Sequence, residues 1–139
     1  MIDIPAVCVV LGFFTVFLPK WTVFQASRRL PEGYNHREPR SQHQALPIGP
    51  PARALAAHYN GFEAFAPFAA SVILAKVAGA GEVVGFEAAC IIFVVARVLY
   101  CFAYIIGFGT MRTILWSIAF TATLYNFGLA SVPGLWAGA

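Results

Sequence analysis

The stretch "RALAAHYNGFEAFAPF", residues 53–68, decides how this sequence is read. Its apolar residues belong to a membrane helix, yet Arg53, His58, Asn60 and Glu63 stand in its first two-thirds. A charged side chain at the centre of a membrane helix costs about 2.5 to 3.5 kcal/mol on insertion scales. Such residues need partners, and finding those partners organises the rest of the chain.

The surrounding composition supports the membrane reading. Of 139 residues, 60% are hydrophobic and 11% charged, and the mean hydropathy is +0.74. A soluble domain carries about a quarter of its residues as Asp, Glu, Lys or Arg. The chain therefore reads as a single-domain, multi-pass integral membrane protein. Four apolar stretches, at about residues 4–24, 52–78, 84–107 and 113–132, each match the roughly 20 residues of a bilayer-crossing helix. The first is expected to remain as a span, since Asp3 stands where a signal peptide would have a basic leader and no small-residue cleavage pattern precedes the basic segment.

Between the first two spans lies the one extended polar segment, residues 25–51, with five of the nine prolines. Prolines at that density forbid a continuous helix, and "GPP" at 49–51 suits the start of the next one. The segment carries Arg28, Arg29, Arg37 and Arg40, and Arg112 marks the third connection, whereas the second, "GAGEVVG" at 79–85, has no Lys or Arg. By the positive-inside rule the first and third connections face the cytoplasm and both termini the other side. The short connections imply an all-α, up-down four-helix membrane bundle. The +3 charge is this topological bias, and no basic run interleaved with aromatics indicates nucleic acid. Cys8, Cys90 and Cys101 fall within spans and are read as apolar packing residues. Trp21, Trp116 and Trp136 are read as interfacial anchors.

Helical periodicity sorts the polar residues. Arg53, Asn60 and Glu63 fall at roughly 0°, −20° and −80° around the axis and share a face, while His58 points away. His58 is either a packing histidine or faces another subunit. Pro67, one turn past Glu63, is a candidate kink that opens space beside it. In "ARVLYCFAY", Arg97, Tyr100 and Tyr104 are spaced i, i+3, i+7, within an arc of about 60°. With Arg112 at the start of the last span, these groups form one cytoplasmic layer. Glu63 is expected to be charged and paired with an arginine, Arg53 or Arg97 within the chain or one across a subunit boundary, with Asn60 and the tyrosines as hydrogen-bonding glue. That leaves cations in excess, with Arg28 and Arg29 also available from the loop, so an anionic ligand is expected. A small acidic peptide fits, its carboxylates on arginines and its ammonium on Glu63 and Asn60.

These residues carry a resemblance. "ASRR" at 26–29, the spacing of Arg53, His58, Asn60, Glu63 and Pro67, and "ARxxYxxxY" followed by Arg112 resemble the MAPEG family, membrane-associated proteins of eicosanoid and glutathione metabolism. The resemblance implies a homotrimer with glutathione bound as co-substrate between neighbouring subunits, and no metal. It implies a glutathione site drawn from Arg53, His58, Asn60, Glu63, Arg97, Tyr100, Tyr104, Arg28 and Arg29. It further implies that Arg112 holds the thiolate, and a guanidinium there would lower the thiol pKa. Ala56 departs from the pattern, standing where several family members have a second arginine.

The function expected is a glutathione transferase, with peroxidase activity left open, that attacks a hydrophobic electrophile arriving from the membrane lipids. Alternatives are a non-catalytic lipid- or thiol-binding protein and a structural subunit of a membrane complex. A small multidrug transporter would need a working glutamate in its first span, where Asp3 at the edge is the one acidic residue. A bacterial inner membrane is the expected location.

Overall fold

The structure is a computed structural model that describes residues 2–132, and all regular structure among them is helical. The helices are α1 (Ile4–Phe17), α2 (Lys20–Arg28), α3 (Pro39–Gln44), α4 (Pro50–Val77), α5 (Phe86–Ile106) and α6 (Gly109–Ser131), with a 3-10 turn at Ala80–Glu82. Three stretches are long and apolar enough to cross a membrane: Ile4–Arg28, Phe86–Ile106 and Gly109–Ser131. The longest helix, α4 with 28 residues, stands outside this group because Arg53, Asn60, Glu63 and Lys76 lower its hydropathy.

Local chemistry sets the boundaries. Asp3 caps α1, its carboxylate accepting from the Ala6 N–H at 3.1 Å, with Pro5 in the first turn. The first span is two helices because Pro19, which offers no N–H, interrupts the hydrogen-bond ladder. The sequence signal for that break was a lone proline in an apolar run. Pro50 and Pro51 open α4 as their fixed φ allows, and α4 then runs unbroken through Pro67. Gly107, at φ +91°, ends α5 in the left-handed cap, its N–H returning to the carbonyls of Ala103 and Tyr104. Two residues later, at Gly109, α6 begins.

Side-chain contacts fix the register. Along α1 and α4, Val16 faces Gly61, Gly12 faces Phe65 and Phe68, and Asp3 pairs with Lys76, so the two run antiparallel. Gly61 is required by that crossing, since a Cβ there would sit 3.1 Å from the Val16 Cα. α5 runs antiparallel to α4, with Arg53 against Ile105, Asn60 against Arg97, and Phe68 stacked on Phe93 at 3.6 Å between ring centres. α6 returns along α5, bringing Arg112 to Tyr104 and Asn126 to Cys90. This register places the start of α4, the end of α5 and the start of α6 at one level. At the other end the core is apolar, built on Phe68, Val72, Ala75, Phe86 and Phe93.

The polar segment packs beneath the arginine-rich end, where Val23, Leu46, Ala54 and Leu55 form a small core. Its buried His43 lies 3.2 Å from the Lys20 ammonium, and burial, reinforced by Lys20 and His58, holds the imidazole below its ordinary pKa. The three cysteines are buried and unpaired. Trp21 is exposed, as an anchor would be, and Trp136 lies outside the described residues.

Candidate functional site

One face of α4 and the facing ends of α5 and α6 enclose a pocket of about 480 Å³. Ala56, Tyr59, Asn60 and Glu63 come from successive turns of α4, Tyr100 and Tyr104 from α5, and Arg112, Thr113 and Trp116 from α6. The α4 set follows i, i+3, i+4, i+7, and Tyr100 with Tyr104 and Arg112 with Trp116 follow i, i+4, spacings that keep side chains on one helical face. A smaller cavity of about 150 Å³ continues inward, sharing Asn60, Glu63 and Trp116 and reaching Pro67, Arg97 and Thr123.

Asn60 links the charges. Its Oδ1 accepts from Arg97 Nη1 at 3.0 Å, and its Nδ2 donates to Glu63 Oε2 at 3.1 Å. Arg97 is 2% exposed, its guanidinium 4.2 Å from the centre of the Tyr100 ring. Its Nη2 is buried without a hydrogen-bond partner. A buried donor left unsatisfied costs about 1 to 3 kcal/mol, more when it carries charge. Arg112 lies 4.6 Å from the Tyr104 ring centre, and the two tyrosine rings meet edge to face at 5.5 Å. The pocket and the cavity behind it thus have two guanidinium groups on aromatic faces, with one carboxylate and an amide bonded to it.

The expected pairing of Glu63 with Arg53 or Arg97 within the chain is not what forms. Glu63 bonds Asn60 and meets Arg97 only through it. Arg53 turns the other way, donating from Nε to the Ile105 carbonyl at 2.9 Å, close against Gly107. The reason is geometric: the exposed carbonyls at the end of α5 are nearer to Arg53 than the Glu63 carboxylate nearly three turns along α4. Among the described residues the one ion pair is Asp3 with Lys76, at the far end.

The residues singled out from sequence divide accordingly. Asn60, Glu63, Tyr100, Tyr104 and Arg112 line the pocket, Arg97 lies just behind it, and Arg53 braces its loop-side edge. His58 lies on the opposite side of α4, its Nδ1 2.7 Å from the Val16 carbonyl, and does not line the pocket. Arg28 and Arg29 are exposed at the end of α2, away from the pocket of their own chain. Sequence reasoning missed Tyr59, Thr113 and Trp116. Trp116, read as an anchor, stacks on Phe120 at 5.0 Å and walls both cavities. Its i+4 spacing from Arg112 was the signal that they share a face. Asn126, fully buried beside Cys90, also went unread.

Comparison with known proteins adds one finding: the MAPEG family model matches residues 4–132. No curated protein and no solved structure matches the chain.

Proposed function

This chain belongs to the MAPEG family, and from that premise we propose that it is a glutathione transferase, conjugating the thiolate of glutathione to a hydrophobic electrophile drawn from the bilayer. Family and apolar helices together make it an integral membrane protein. In the proposed assembly α4 is a fourth span, three copies form a trimer in a bacterial inner membrane, and both termini face away from the cytoplasm.

The observation that carries the reading is the Glu63–Asn60–Arg97 chain, which ends in an unpartnered, buried Arg97 Nη2 beside the pocket that Arg112 also lines. Glutathione offers what these groups lack: carboxylates for Arg97, an ammonium for Glu63, and a thiol for Arg112. A guanidinium beside sulfur favours the thiolate and so supplies a nucleophile near neutral pH. The thiol proton passes to water, the sulfur lone pair forms the new S–C bond, and the electron pair displaced from the electrophilic carbon leaves with its leaving group or shifts into an adjacent π acceptor that water then protonates. Tyr100 and Tyr104 hold the two guanidinium groups by their ring faces, which fixes the cations without neutralising them. Arg28 and Arg29, unengaged with their own pocket, would serve a neighbouring copy. His58 is assigned to packing against α1.

Ala56 favours a second reading, a non-catalytic binding protein. It lines the pocket where the family pattern has a further arginine. Ultraviolet absorbance of the solubilised protein on adding glutathione separates the readings. The transferase gives a saturable thiolate signal near neutral pH and turns over an alkylating electrophile. Binding without thiolate favours the second reading, and absence of binding removes both.

A further inference from the structure

The polar segment folds on itself before it docks. Gln42 of α3 donates from Nε2 to the Gly33 carbonyl at 2.7 Å and accepts from the Asn35 N–H at 3.0 Å, while the Asn35 side chain accepts from the N–H groups of Arg37 and Glu38. These bonds close residues 33–42 into one unit. Its ties to the long helices are fewer. Leu46 enters the small core with Val23, Ala54 and Leu55, and Tyr34 meets Phe24 edge to face at 5.3 Å. Among the described residues one side-chain hydrogen bond crosses from the unit to those helices, between His43 and Lys20.

That bond holds a fixed protonation state. His43 is 6% exposed. An ammonium donates and cannot accept, so Lys20 Nζ donates to Nδ1 and the imidazole proton sits on Nε2. Nε2 is buried without a partner, a cost that water would relieve. The surrounding groups offer a second charge no support. Lys20 stands on α2 and His58 on α4, Arg40 lies one turn earlier on α3 within range of Lys20, and the Tyr34 ring is 6.0 Å away. The other charges of α2 and the start of α4 are Arg28, Arg29 and Arg53, all cations. Glu32, His36, Arg37 and Glu38 are exposed, and Glu38 accepts from the Ser41 hydroxyl.

We propose that His43 is an acid-released latch: protonation at Nδ1 breaks its bond to Lys20, sets two cations against each other in a buried contact, and undocks residues 33–46 from α2 and α4. Release also loosens the loop-side edge of the polar pocket. Leu46 shares its small core with Leu55 and Ile105, and the Ile105 carbonyl is what holds Arg53. Burial, with Lys20 and His58, keeps the docked imidazole below its ordinary 6.5. The undocked segment therefore binds the proton more readily, and docking weakens as pH falls through the ordinary value and goes on weakening down to the depressed one.

Hydrogen exchange of residues 39–46 in the full-length, detergent-solubilised protein reads the latch directly, as protection factors corrected for the intrinsic rate at each pH. Between pH 7.5 and 5 protection should fall about 30-fold, the excess protonation of an ordinary histidine over that interval. His43→Gln, whose amide oxygen still accepts from Lys20 but does not titrate, should hold its protection. Lys20→Glu should reverse the slope, since an imidazolium then gains a carboxylate, and it decides the matter even if His43→Gln is undocked throughout. Wild-type protection independent of pH overturns the proposal, as does an equal fall in His43→Gln or an unreversed slope in Lys20→Glu.

The coupling to the pocket rests on the transferase reading and is read as the ratio of glutathione Kd between wild type and His43→Gln, in which the titration of glutathione itself cancels. The ratio should be near one at pH 7.5 and rise severalfold at pH 5. A ratio of one at both values overturns the coupling. If glutathione binds at neither pH, it is the transferase reading that fails, and exchange still decides the latch.

Discussion

The two ends of this protein treat charge in opposite ways. At one end Asp3 and Lys76 pair directly, above a core of stacked phenylalanines, and the remaining charged groups there, Glu82 and Glu87, are exposed at the surface. At the other, Arg97 and Arg112 rest on tyrosine rings, Glu63 holds an asparagine instead of an arginine, and a buried guanidinium nitrogen has no partner. The first arrangement is complete in the folded chain. The second leaves cations in excess, which on the proposed function an anionic ligand would complete. Pairing, more than the mere presence of charge in an apolar helix, separates a closure from a site.

The strongest way to break this contrast is to remove Arg97. Arg97→Ala should weaken glutathione binding by about 1.5 to 3 kcal/mol, roughly 10- to 150-fold, measured by calorimetric titration. Arg97→Lys, which keeps the charge but not the planar fork, should recover only part of it. Full affinity in the alanine variant would make the two ends equivalent.

Arg112→Ala separates activation from binding. Affinity should stay within a few fold because Arg97 and Glu63 remain. The thiol pKa of bound glutathione should rise by one to two units, about 1 to 3 kcal/mol, followed by thiolate absorbance against pH. Equal titration curves in wild type and variant would move the activating role elsewhere.

Gly61→Val tests the sealed side of α4. A side chain at Gly61 meets the Val16 backbone, and α1 must move. Stability in detergent should fall by about 1 to 2 kcal/mol, after allowing for the better helix propensity of valine, with thiolate formation in the folded fraction unchanged. Loss of the thiolate signal in a protein of unchanged melting temperature would contradict the division of α4 into two faces.

The smallest effect belongs to Asp3→Asn. The Lys76 ammonium, helped by the Ala6 N–H, holds the Asp3 carboxyl below its ordinary 3.8. A depressed carboxylate adds stability above its unfolded value, and that contribution disappears as pH falls through the lower folded value. The difference in melting temperature between wild type and Asp3→Asn should therefore be small near neutral pH and vanish under strong acid. A variant as damaging as Gly61→Val would show that the outer pair carries more than an exposed bridge does.

Much of this contrast was legible in sequence. The 3.6-residue repeat put Asn60 and Glu63 on one face of α4 and His58 on another, and the tyrosines of α5 beside Arg97. The structure keeps those relations. The partner of each face was not legible. Glu63 was read against two arginines by charge alone, yet the side chain within reach was Asn60. Trp116 was read by its distance from a span end, and only the packing of α6 against α4 turned it into a pocket wall.

The sequence by itself determined the solvent of this protein, its long apolar helices, its single polar segment and the family to which it belongs, because composition and periodicity are properties of one chain segment at a time. Only the tertiary structure decided that Arg53 spends its donor on the end of α5 and that His58 serves the α1 contact. Those depend on the axial register between neighbouring helices, which close contacts such as Gly61 against Val16 and Phe68 against Phe93 set to within a residue. No single segment carries that information.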